Sequence, residues 1–124
     1  MTQENKELLL KDLCARLPYE VKVKFYDHWV DEYEIIPLTA KLLSDTVYIG
    51  DIKPYLFPLS SMTTEQRYEL HDLIHNLNVL ALNGEIGDWV VSSSEIDWYN
   101  KNHFDYRGLI PKGLAIDATG LNIY

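Results

Sequence analysis

A chain of 124 residues, 47% apolar and 24% charged, can close one hydrophobic core without a disulfide or structural metal. Nineteen acids against eleven bases leave a formal charge of −8. That balance disfavours direct binding of DNA or RNA, whose phosphates are held mainly by Lys and Arg. The one cysteine, Cys14, excludes an intramolecular disulfide and fits the reducing cytoplasm. No apolar run approaches the ~20 residues that span a bilayer, so neither a membrane nor a secreted location is expected.

The first residues, Met1-Thr2-Gln3-Glu4-Asn5-Lys6-Glu7, lack the basic start and apolar core of a signal peptide. Residues 3–16 are predicted as a first helix, with Thr2 as its N-cap and Glu4 and Glu7 in its positive first turn. Pro18 sets its end. The apolar positions Leu10, Leu13, Cys14 and Leu17 make Cys14 a small buried hydrophobe rather than a nucleophile. From Tyr19 the chain alternates, with Tyr19, Val21, Val23 and Phe25 on one face of a half-buried strand.

Residues 34–49 read as two strands around a Ser44-Asp45-Thr46 turn, with Val47-Tyr48-Ile49 returning. Pro37 suits an edge or a bulge. Pro54 and Pro58, with few backbone donors between them, favour an extended crossing over residues 51–59. A second helix is expected at 64–77, with a Thr63/Gln66 capping box and the core stripe Leu70, Leu73, Ile74, Leu77. Val79-Leu80-Ala81-Leu82 and Asp88-Trp89-Val90-Val91 then read as short strands on either side of Asn83-Gly84. Ser92, Ser93 and Ser94 would cap a third helix at 95–102, and 109–115 a last helical turn. The expectation is one α+β domain over 1–124, a small and mostly antiparallel sheet of four to six strands with three helices packed on it.

Three constellations could carry function. His71-Asp72-Leu73-Ile74-His75 puts two histidines on one side of a helix, the spacing that grips a metal in H-E-x-x-H proteases. Asp72 is one carbon shorter than the glutamate those enzymes use, and the pair falls on the polar shoulder of the helix. A third ligand would come from His103, Asp105 or Glu85. The stretch 98–107 crowds Trp98, His103, Asp105, Tyr106 and Arg107 together, a composition favoured at binding hot spots. The competing reading makes Trp98 and Phe104 core plugs, with Asp105 and Arg107 locking the loop. Tyr55 and Phe57, between the two prolines, could dock a partner or lie over the core. Glycine-rich phosphate loops, C-x-x-C pairs and nucleophile elbows are missing from the sequence, and no cofactor is indicated.

Two strings, Asp51-Ile52-Lys53-Pro54-Tyr55-Leu56-Phe57-Pro58-Leu59-Ser60-Ser61-Met62-Thr63 and Asn102-His103-Phe104-Asp105-Tyr106-Arg107-Gly108-Leu109-Ile110 with Lys112-Gly113-Leu114-Ala115, resemble a family of small Bacteroidales proteins. Members of that family are often encoded in prophages and other mobile elements. The resemblance covers about half of the chain and implies a context, an intracellular accessory protein, but no catalytic residue. The leading expectation is thus a non-enzymatic cytoplasmic protein that binds another protein through Trp98, His103, Asp105, Tyr106, Arg107 and Tyr55, with self-association left open. The alternative is a small metal-dependent hydrolase built on His71, His75 and His103.

Overall fold

Helix α1, Gln3–Arg16, opens as its sequence predicts, with the Thr2 hydroxyl accepting from the Asn5 amide at 3.1 Å. The computed structural model describes residues 1–46 and 48–124. The inward face of α1 is not the expected one. Leu9, Asp12, Leu13 and Arg16 are buried, at the i, i+3, i+4, i+7 spacing of a core-facing stripe, whereas Cys14 is exposed. The helix is therefore rotated so that an ion pair, rather than a thiol, enters the interior.

Glu20 takes a left-handed turn, φ 55°, and the chain then enters strand β1, Lys22–Asp27. Val21 and Val23 point to the core, and the intervening lysines face outward. Strand β2, Glu32–Pro37, returns antiparallel, with Lys22 opposite Pro37 and Asp27 opposite Glu32. It is the edge of the sheet, where the missing N–H of Pro37 costs least.

The second strand of the expected 34–49 pair is replaced by helix α2, Ala40–Asp45. Thr39 caps it, accepting from the Leu42 amide at 3.1 Å, and Ala40, Lys41, Leu42 and Leu43 are good helix formers. The Ser44–Thr46 turn is thus the end of a helix. Of the predicted returning arm, Val47 lies outside the described residues, and Ile49–Asp51 is a 3-10 turn.

The segment expected as an extended crossing is extended, and it goes further than that: as strand β3, Ile52–Pro58, it is the centre of the sheet. It pairs antiparallel with β1 over residues 52–54, parallel with β5, Ile116–Asp117, at Tyr55 and Leu56, and parallel with β4, Phe104–Asp105, at Phe57 and Pro58. No single neighbour runs the length of β3, so the N–H groups missing at its prolines interrupt no long ladder. The order is β2-β1-β3-β4 with β5 also on β3, and the class is α+β with a mostly antiparallel sheet.

Helix α3, Thr64–Leu82, begins at a complete capping box between Thr63 and Gln66. Thr63→Ala is expected to lower stability by about 1 kcal/mol in urea unfolding. An unchanged midpoint would show that solvent satisfies the first turn equally well. The helix runs on through Val79, Leu80, Ala81 and Leu82, and Gly84, φ 76°, follows its end. Asn-Gly serves a helix C-terminus as readily as a hairpin, and here it does the former. The second predicted strand is likewise helical. Helix α4, Asp88–Lys101, starts from Gly87, and Ser92, Ser93 and Ser94 lie within it rather than at its cap. Residues 109–115 close as hydrogen-bonded turns, with Gly113 at φ 72°. There are thus four α-helices among the described residues, one more than expected.

The main core gathers Leu9 and Leu13 from α1, Val21 and Val23, and Ile52 and Leu56 from β3, closed by Leu109 and Leu114. A second cluster of Leu70, Trp98 and Phe104 fastens α3 and α4 to the sheet. Among the described residues no helix is long and apolar enough to cross a membrane.

Candidate functional site

Of the six residues expected to form a binding face, Tyr55, Trp98 and Asp105 are buried, and His103, Tyr106 and Arg107 are half-buried. Trp98 and Tyr55 are buried in the packed interior, and Trp98 stacks on Phe104 at 5.6 Å while its indole N–H donates to Glu69 at 3.1 Å. Asp105 is buried too, and its two carboxylate oxygens accept from the Leu109 and Ile110 amides, each at 2.9 Å. That carboxylate therefore fastens the following turn.

Arg16 and Asp12 are the centre of this region. Arg16 Nε donates to Asp12 Oδ2 at 2.8 Å, and Arg16 Nη2 donates to the Phe104 carbonyl at 2.7 Å. Arg107 reaches the other oxygen of Asp12 at 3.0 Å. The Tyr106 ring lies near both guanidinium groups, 5.4 Å from Arg16 and 4.7 Å from Arg107. A helix near the start of the chain is thereby tied to a loop near its end. Four buried atoms here or close by, Arg16 Nη1, Asn100 Oδ1, His103 Nδ1 and Tyr106 Oη, have no hydrogen-bond partner among the described residues. Sequence reasoning missed Asp12 and Arg16, whose charges suggest an outward face. Their only sequence signal is a four-residue spacing shared with Leu9 and Leu13.

His103 has a left-handed backbone, φ 62°, and its ring stacks on Tyr124 at 3.9 Å. Burial, reinforced by the nearby Arg16 charge, lowers its pKa to about 4. Burial also pushes the Tyr124 phenol up to about 12, against hydrogen bonding to the Lys22 backbone and the pull of Arg16. That phenol accepts from the Lys22 amide at 2.8 Å and donates to the Tyr55 carbonyl at 2.8 Å, stitching β1 to β3. These groups hold chain segments together, and none is a nucleophile poised beside a base.

The predicted histidine triad is not assembled. His71 and His75 stack in solvent on α3, 6.3 Å between ring centroids, and His103 is packed against Tyr124. Among the described residues, no group of three or more His, Cys, Asp or Glu side chains is placed to hold a metal ion.

Two surfaces carry what the buried cluster does not. The first is a groove of about 560 Å3 on the outer face of the sheet, lined by Lys24, Tyr26, His28, Tyr33, Asp51 and Lys53 among others. The second is the free end of the α3–α4 hairpin, where Val79, Leu80, Leu82 and Trp89 are all exposed beside Glu85 and Asp88. Neither was singled out from sequence, because the first needs strand register and the second needs both segments to be helical. No family model, curated protein or solved structure matches the chain.

Proposed function

We propose that this chain is a non-enzymatic interaction protein whose contact with another protein is the free end of the α3–α4 hairpin. One observation carries the reading. Leu82 and Trp89 are 88% and 73% exposed at that end, with Val79 and Leu80 beside them, although exposed clusters of large apolar side chains commonly mark interaction sites. Glu85 and Asp88 at the same turn give the apolar tip an acidic rim, which favours a partner with basic groups around an apolar pocket. The single cysteine, which can form no intramolecular disulfide, supports a reducing, cytoplasmic setting. The resemblance of residues 51–63 and 102–115 to small Bacteroidales proteins would fit an accessory role on a mobile element.

Leu82→Ser/Trp89→Ser tests the assignment, since both side chains are outside the core and their loss should leave thermal unfolding unchanged. In pull-downs from host lysate the wild type is expected to retain a partner that the double variant loses. Equal capture by both proteins overturns the assignment. If light scattering shows a mass that rises with concentration for the wild type alone, the partner is a second copy.

A further inference from the structure

The groove on the sheet is independent of the hairpin tip and has its own chemistry. Lys24 and Lys53 are direct partners across the antiparallel β1–β3 pair, so both side chains stand on one face. Like charges placed opposite each other weaken a sheet, and this protein carries an excess of acids that could have paired them. Neither ammonium is in an ion pair among the described residues. Asp51, the carboxylate in the groove lining, is engaged by His28 at 2.7 Å. Two adjacent cations therefore remain available to a ligand.

Beside them runs a row of rings. Tyr26 meets Tyr33 edge-on at 4.9 Å and His28 edge-on at 4.6 Å, and Lys24 Nζ lies 4.5 Å from the Tyr33 ring centre. A volume of about 560 Å3 is that of a small-molecule site. We infer that this groove binds a small molecule joining a phosphate to a planar ring, of the nucleoside monophosphate class. Lys24 and Lys53 meet the phosphate as point charges, and the tyrosines offer faces and edges to the ring. The same surface is unsuited to a nucleic acid polymer. A strand running beyond the groove would meet the acids that give the chain its charge of −8.

Calorimetric titration at low salt with the four nucleoside monophosphates, a nucleoside, inorganic phosphate and a single-stranded oligonucleotide tests each part. At least one monophosphate is expected to bind one-to-one, more tightly than the nucleoside or phosphate alone, with affinity falling as salt rises. Lys24→Gln/Lys53→Gln should weaken it by about tenfold or more, two charge contacts being lost. The double variant should unfold at the same temperature as the wild type or a higher one, because a like-charge opposition is removed. Absence of binding by every monophosphate, or equal affinity in the double variant, overturns the site. Phosphate alone binding as well as the monophosphates overturns the role of the rings, and a tighter-binding oligonucleotide overturns the size limit.

Discussion

Arg16→Met is expected to destabilise the fold by about 3–5 kcal/mol, the cost of leaving a buried charge without its main partner. Asp12 and Arg16 are both fully buried and lie 2.8 Å apart. Removing the guanidinium leaves Asp12 with Arg107 alone, takes the shorter of two hydrogen bonds from the Phe104 carbonyl, which keeps the Tyr106 amide at 3.2 Å, and withdraws a cation from Tyr106. The Phe104 loss reaches furthest, because the bond from Arg16 fixes the residue that opens β4 and plugs the second core cluster. Asp12→Leu/Arg16→Met should be less destabilised than Arg16→Met, since no uncompensated carboxylate stays behind. Urea unfolding of the single and double variants gives both numbers. A loss below ~1 kcal/mol for Arg16→Met would show that water reaches the pair and that it does not clamp the fold.

The contrast between what could and could not be read in advance follows from the same pair. Helix α1 was legible to the residue at both ends, because Thr2 and Pro18 are local signals. The Thr63 capping box and the core-facing alternation at Val21 and Val23 were legible for the same reason. The buried face of α1 was not, since periodicity scores charged residues as outward and so gave the interior to Cys14 instead of Asp12 and Arg16. Asn83-Gly84 was ambiguous in kind, as the left-handed turn it supplies ends a helix or a hairpin strand equally well.

At 98–107 composition left two readings open, and the structural one, core plugs with a locked loop, is what the fold contains. Aromatic, acidic and basic groups crowded together resemble a binding hot spot, but a polar core needs the same ingredients. Asp105, Arg107 and Trp98 turn inward to satisfy amides, a carboxylate and a glutamate. The lysine pair of the groove had no chance of detection, because Lys24 and Lys53 become neighbours only through the β1–β3 register. Long-range pairing of that sort leaves no trace in local pattern.

The second large effect is a loss of stability in mild acid, centred on His103. Its pKa lies near 4 in the fold, whereas an unfolded histidine titrates near 6.5. Between those values the unfolded chain binds a proton that the native one refuses, so stability falls as pH falls through the window and levels off below about 4. At full strength such a shift corresponds to about 3 kcal/mol, and solvent screening of the partly exposed ring reduces the expected loss to about 1–2 kcal/mol. Carboxylates add their own losses below about pH 5, which makes the interval from 6.5 down to 5 diagnostic of the imidazole. His103→Asn is the right control, because asparagine tolerates the left-handed backbone at φ 62° without titrating. It gives up the stacking on Tyr124 and so starts from a lower stability, but its urea midpoint should be flatter across that interval. Parallel slopes for the two proteins would mean that the imidazole takes up its proton in place, with water or a counter-charge beside Nδ1. In that case Arg16 Nη1, Asn100 Oδ1 and Tyr106 Oη would be candidates for the same hydration, since they too have no partner among the described residues.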